Sequence, residues 1–180
     1  MKTVAFLLLP LLLLGADLEF NKDGQLVRPK TYREWIFLSS GVGMNYGTGP
    51  LPFGNVFVEP SAYRKFVETG KWPDKSIFAL EIRQPATEGS INKGGQYQTN
   101  LLAVEAAVKD TARFKDGWGY FAFNGNATTA KVLGPEAGCN ACHSANAAVE
   151  HTFVQFYPTL LEIAIAKGTL NPSYKPPDQK

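Results

Sequence analysis

Sulfur and imidazole are scarce in this chain: 180 residues include two cysteines, two histidines and two methionines. So few cysteines exclude a scaffold stapled by several disulfides. So few soft and imidazole donors leave little from which side chains alone could build a metal site. An excess of either charge is missing too. With 18 basic and 16 acidic residues the net charge is +2, which offers no electrostatic case for nucleic acid. Past the first residues there is no long apolar run, internal repeat or polar low-complexity tract. A second membrane span and a disordered chain are thereby excluded.

What is present begins with a leader. Met1-Lys2 is a short basic start, Val4 to Leu14 is almost wholly apolar with Pro10 inside it, and the small pair Gly15-Ala16 follows. The pattern predicts a signal peptide over residues 1–16, cleaved near Ala16; a retained anchor is the alternative, disfavoured by the shortness of the apolar stretch. No cysteine follows at once, which argues against a lipoprotein. Residues 17–180 are then an exported, periplasmic domain. In an oxidising compartment Cys139 and Cys142 are expected in a disulfide or in thioether bonds.

Residues 17–31 are polar, and Tyr32 to Ser39 reads as a first strand. A Gly- and Pro-rich loop over 40–52 leads to a second strand at Asn55–Glu59. Pro60 opens a helix that runs from Ser61 to Gly70, with Tyr63, Phe66 and Val67 on one face and Gly70 as its stop. Ser76 to Arg83 is a third strand whose alternation sets Phe78, Leu80 and Ile82 on one face. Tyr97 to Val108 fits strand or helix, and Gly117 to Phe123 is another aromatic strand. Ala141 to Val149 and Thr159 to Lys167 read as helices. Four or five strands with later helices imply one α+β domain, a mainly antiparallel sheet with a few helices packed around the cysteine segment.

That segment is Cys139-Asn140-Ala141-Cys142-His143. A c-type haem needs two thiols spaced to reach the porphyrin vinyl groups and an imidazole directly after them to meet the iron; this run supplies both. A disulfide-exchange pair would leave His143 unexplained and lacks a βαβ setting. Zinc on Cys139, Cys142 and His151 lacks a fourth ligand. The reading is one covalent haem c per chain, held by Cys139 and Cys142, with His143 on the iron. For the other axial position only Met44 and His151 remain as strong donors. His151 is close to His143 in sequence and Met44 lies in the Gly-rich loop, so five-coordinate iron is expected.

The chain resembles the cytochrome P-460 family, and within it the cytochrome c′-beta branch. The residues carrying the resemblance are Tyr32-Arg33-Glu34-Trp35, Val56-Phe57-Val58-Glu59-Pro60 with the helix to Thr69-Gly70-Lys71, the Glu81-containing strand, Trp118-Gly119-Tyr120-Phe121, and the haem motif followed by Phe153-Val154-Gln155-Phe156-Tyr157-Pro158. The resemblance implies a mainly antiparallel fold, a homodimer and one haem c. Hydroxylamine-oxidising members carry a lysine, cross-linked to the haem, just before the strand's Glu; here that position is Leu80. Lys75 and Lys93 do not match it. The c′-beta branch implies instead an apolar distal pocket capped by phenylalanine, with Phe78 the first candidate and Phe53 and Phe57 behind it. Such a pocket favours NO and CO, which need little polar help, over O₂. Glu136 is the carboxylate nearest the motif in sequence and reads as a solvated loop residue. The expected function is NO binding or detoxification. A hydroxylamine-oxidising enzyme and an electron-transfer cytochrome are the alternatives.

Overall fold

The computed structural model describes residues 18–44, 51–89, 91 and 93–175; the expected leader and part of the Gly-rich loop lie outside them. The fold is α+β. Five antiparallel strands form the main sheet: β2 (Ile36–Val42), β3 (Phe53–Val58), β4 (Ile77–Ala86), β5 (Tyr97–Lys109) and β6 (Trp118–Asn124), paired in chain order. A separate two-stranded ribbon joins β1 (Leu26–Val27) to β7 (Thr129–Ala130). Helix α1 (Pro60–Thr69) crosses from β3 to β4, and α2 (Cys139–Asn146) and α3 (Pro158–Lys167) follow the last strand. Among the described residues no helix is long and apolar enough to cross a membrane.

The local chemistry explains these boundaries. Glu59 is not the end of a strand but the cap of α1, its carboxylate accepting from the Ser61 and Ala62 amides at 2.9 and 3.0 Å. Pro60 takes the first helical position, and Gly70 ends the helix at φ 71°. A side chain there would also strike Lys167 of α3. The ambiguous stretch after Tyr97 is a strand, the longest of the sheet, because every residue from Ala103 to Lys109 pairs with β6.

Period-two alternation gives the sheet two unlike faces. One face packs Val58, Phe78, Trp118 and Tyr120 against Phe66 of α1, Trp72, the segment 148–157 and Leu160 of α3. The other packs Ile77, Ala79, Val104, Phe121 and Phe123 against Leu26, Tyr32 and Trp35. Tyr32 is therefore not the start of a strand. Tyr32–Glu34 is a single 3-10 turn laid over this second face, and the strand begins only at Ile36.

That turn is held by a buried charge. Glu81 is 4% exposed. It accepts from the Tyr32 hydroxyl at 2.5 Å and from Arg33 Nε at 2.7 Å, and Arg83 Nε donates to it as well. Burial alone would raise its pKa, but the three donors outweigh that cost and hold the carboxyl at about 2. The phenol of Tyr32, buried and bonded to the anion, is pushed up to about 12.

Glu81→Gln should cost about 2–4 kcal/mol of stability at neutral pH, because it leaves two guanidinium groups without the anion they enclose. A carboxyl whose pKa is lowered by folding stabilises above its ordinary value of 4.5, and that contribution disappears as pH falls toward about 2. Denaturant unfolding of both proteins across this range should show the gap closing; equal stability at neutral pH would refute the account.

Candidate functional site

Helix α2 starts at Cys139, after a 3-10 turn over Pro135–Ala137 and Gly138 at φ 72°. Within it Cys139, Cys142 and His143 stand at i, i+3 and i+4 and so form one stripe along the helix. No disulfide joins the cysteines, and both are partly buried. The Cys139 thiol is pushed up by burial and by the charge of Glu105.

His143 is the most constrained of the three. Its Nδ1 lies 2.7 Å from the His151 carbonyl oxygen, to which it donates, so the proton sits on Nδ1 and Nε2 is the nitrogen left to bind iron. Burial, more than anything else, lowers its pKa and favours the neutral, metal-binding form. Its ring packs against Tyr120, with centroids 4.6 Å apart, and against Phe153, at 4.3 Å.

The accepting carbonyl belongs to a tightly held turn. Glu150 has φ 50°, a left-handed conformation that costs a non-glycine residue energy. Asn171 offsets this by donating to the carbonyls of Ala147 and Glu150, both at 2.8 Å, and accepting from the Glu150 amide at 3.0 Å. Lys109 pairs with Glu150 at 2.7 Å, and Trp72 Nε1 donates to Thr152 at 2.7 Å. The His151 ring stacks on Trp118 with centroids 6.1 Å apart, so His151 sits beside His143 and not opposite it. Met44 is 64% exposed, its side chain over Gly41. Among the described residues no three His, Cys, Asp or Glu side chains gather to hold a metal ion by themselves.

Tyr120 belongs to the sheet face that also carries Leu80, Glu105 and Ala122, since Leu80 pairs with Glu105 and Glu105 with Ala122. These three, with Val56 and Ala107, are only partly buried although they lie mid-sheet, whereas Ala79, Glu81, Val104 and Ala106 between them are buried on the opposite face. A haem c fits this donor set and this surface: two thiols on one helical stripe, an imidazole with its free nitrogen fixed, and a broad apolar face alongside.

The four expected pocket residues separate. Phe78 and Leu80 share the face of Tyr120, as strand alternation requires. Phe78, however, is 5% exposed and wedged against Trp72 at 4.7 Å and Trp118 at 6.0 Å, so it is a wall of the core more than a side chain open to the site. Phe53 and Phe57 alternate with Gly54 and Val56 and fall on the other face, where Phe57 packs on Tyr32 and Phe37. They cannot cap a pocket on the site's side. Lys75 lies in a turn at φ 68° and pairs with Asp110 at 2.5 Å, and Lys93 is exposed in the hairpin connection; neither takes the place of Leu80.

Glu105 is the residue that the sequence reading missed. Its alternation with Val104 and Ala106 looks like that of a solvated position, and only the register opposite Leu80 brings it to the site. Burial raises its pKa, and its side chain makes no hydrogen bond or ion pair among the described residues.

The sequence model of the cytochrome P460 family matches residues 29–154, a span that includes the whole main sheet and the helix of Cys139, Cys142 and His143. No curated protein matches the chain well enough to be counted a relative.

A carboxyl whose pKa is raised by folding destabilises the folded state at pH above that pKa, where the buried charge must be carried, and the cost disappears as pH falls through it. Glu105→Gln should therefore unfold at higher denaturant than the unmodified protein at neutral pH, the difference fading in acid. Equal midpoints at neutral pH would mean that Glu105 is solvated.

Proposed function

Because the chain belongs to the cytochrome P460 family, and is therefore a cytochrome with a haem cofactor, we propose that it is an exported, homodimeric c-type cytochrome of the c′-beta kind that binds NO and CO. Cys139 and Cys142 would hold the haem through thioether bonds, and His143 would be its proximal ligand. The haem, once bound, would supply an iron able to take a diatomic ligand.

The observation that carries the reading is Leu80. The side chain paired with Glu105 on the site's face is aliphatic, and the two lysines nearest in sequence on either side are turned elsewhere. The aliphatic side chains of Leu80, Val56 and Ala122 give no cation with which to stabilise a polarised ligand. It suits NO and CO, which need none. His143 supports the same reading, since its fixed Nδ1 proton leaves a basic Nε2 for the iron.

One observation favours the enzyme alternative. Oxidising hydroxylamine requires a group that accepts protons, and Glu105 is a carboxyl on the right face. Burial raises its pKa, which makes its ionised form a better proton acceptor than an ordinary glutamate carboxylate.

Haem should remain with the polypeptide through acid extraction under denaturing conditions. His143→Ala should abolish the native ferric spectrum, while Met44→Ala leaves it unchanged. The deciding measurement is hydroxylamine turnover by the unmodified protein together with the mass of its haem peptide. Sustained turnover, or a mass showing a lysine joined to the porphyrin, would give the site to the enzyme reading.

A further inference from the structure

The proximal side holds more ordering than coordination of an iron requires. We infer that Phe153 and Tyr120 are positioning residues which confine the His143 imidazole to a slot and so set how firmly it stays on the iron when a ligand binds opposite. The inference rests on the reading of His143 as the axial ligand.

The slot has three walls. Tyr120 and Phe153 contact the imidazole with centroids 4.6 and 4.3 Å away, at interplanar angles of 45° and 41°. The third wall is the His151 carbonyl, 2.7 Å from Nδ1, at the short end of the range for an N–H···O bond. Tilting the imidazole toward Tyr120 or Phe153 drives it into an aromatic ring. Withdrawing it from the iron along its own plane compresses a bond that has no slack. The carbonyl cannot retreat easily, because Asn171 and Lys109 hold the turn that bears it.

The two rings differ in what else they do. Tyr120 is 7% exposed and part of the core on the site's face. Phe153 is only partly buried and joins neither core cluster. Its ring meets His143 and, at 6.0 Å, the exposed Phe156. A half-buried phenylalanine outside both cores, with ring contacts to His143 and an exposed phenylalanine, is placed to order that imidazole. NO makes the consequence measurable, since it weakens the metal bond trans to itself. Whether the imidazole then leaves depends on how freely it can move.

The test uses the haem-loaded protein and its Phe153→Ala, Phe153→Leu and Phe153→Tyr variants. The first readout is the iron–imidazole stretching vibration of the ferrous protein with no added ligand. The second is the rate at which NO drives the imidazole from the iron. Phe153→Ala should lower the stretching frequency and speed imidazole loss about threefold to tenfold, the factor expected from one aromatic contact. Phe153→Leu should behave similarly, and Phe153→Tyr, which keeps the flat ring, should restore both. An unchanged frequency and an unchanged rate in Phe153→Ala would overturn the inference. If Phe153→Ala fails to fold, Phe153→Leu decides, and values equal to those of the unmodified protein would overturn it equally. Should the unmodified protein bind no NO, the functional reading falls, and the stretching frequency alone still judges the slot.

Discussion

Alternation along β4 and β5 is the constraint from which the site follows. Adjacent residues of a strand must point to opposite sides of the sheet, so Leu80 and Glu81 are committed to different environments, as are Val104 and Glu105. Glu81 enters the face where Tyr32, Arg33 and Arg83 converge on it. Glu105 enters the face of Cys139 and Tyr120, where no cation meets it. The same functional group, one strand apart, is driven to opposite pKa directions. Donors that favour the anion dominate in one case and loss of water dominates in the other. A slip of β4 by one residue would turn Glu81 to the other face, burying its charge among apolar groups and leaving Arg33 without an anion. The Glu81 cluster therefore defends the register that builds the site on the far side of the sheet.

His143 meets this sheet through the Tyr120 ring; the rest of its setting comes from the C-terminal segment. Asn171 reaches back to the turn at Glu150 and His151, and Gln155 ties the same turn to the end of α2 by donating to the Asn146 carbonyl at 2.7 Å. The left-handed backbone at Glu150 is held by hydrogen bonds with Asn171 and by the ion pair with Lys109. The carbonyl that receives the His143 proton is thus fixed from outside the helix that carries His143. Two independently anchored segments meet at one hydrogen bond, an arrangement that resists drift of the imidazole better than helix packing alone.

How much of this was legible in the sequence depended on how local the cause was. The stop at Gly70 and the alternation of Phe78 with Leu80 are short-range facts, and each stands in the structure as the residues suggest. The start of the first strand was not legible, because Tyr32 and Arg33 are spent on a carboxylate 49 and 48 positions away. The β1–β7 ribbon joins two residues to two others across the chain, a length at which propensity carries no signal. Phe53 and Phe57 looked equivalent to Phe78 because aromatic character does not say which face of a sheet a residue occupies. Glu105 was hidden for the complementary reason: a charged residue between apolar ones looks solvent-facing until a partner strand fixes where that face leads.

The cross-strand pair of Leu80 and Glu105 bears on what kind of cytochrome this is. Residues directly opposite on antiparallel strands sit close enough to fix each other's charge state. A basic residue at position 80 would favour the ionised form of Glu105 and leave a ready proton acceptor beside the cofactor. Leu80 offers no counter-charge, and its side chain already crowds Gly54, where an added Cβ would lie 3.2 Å from Leu80 Cδ1. The pairing thus does two things at once. It fills the space with hydrocarbon and leaves the one carboxyl of that face without a cation, so that the neutral form persists to higher pH. Binding an uncharged diatomic ligand and moving protons place opposite demands on this pair.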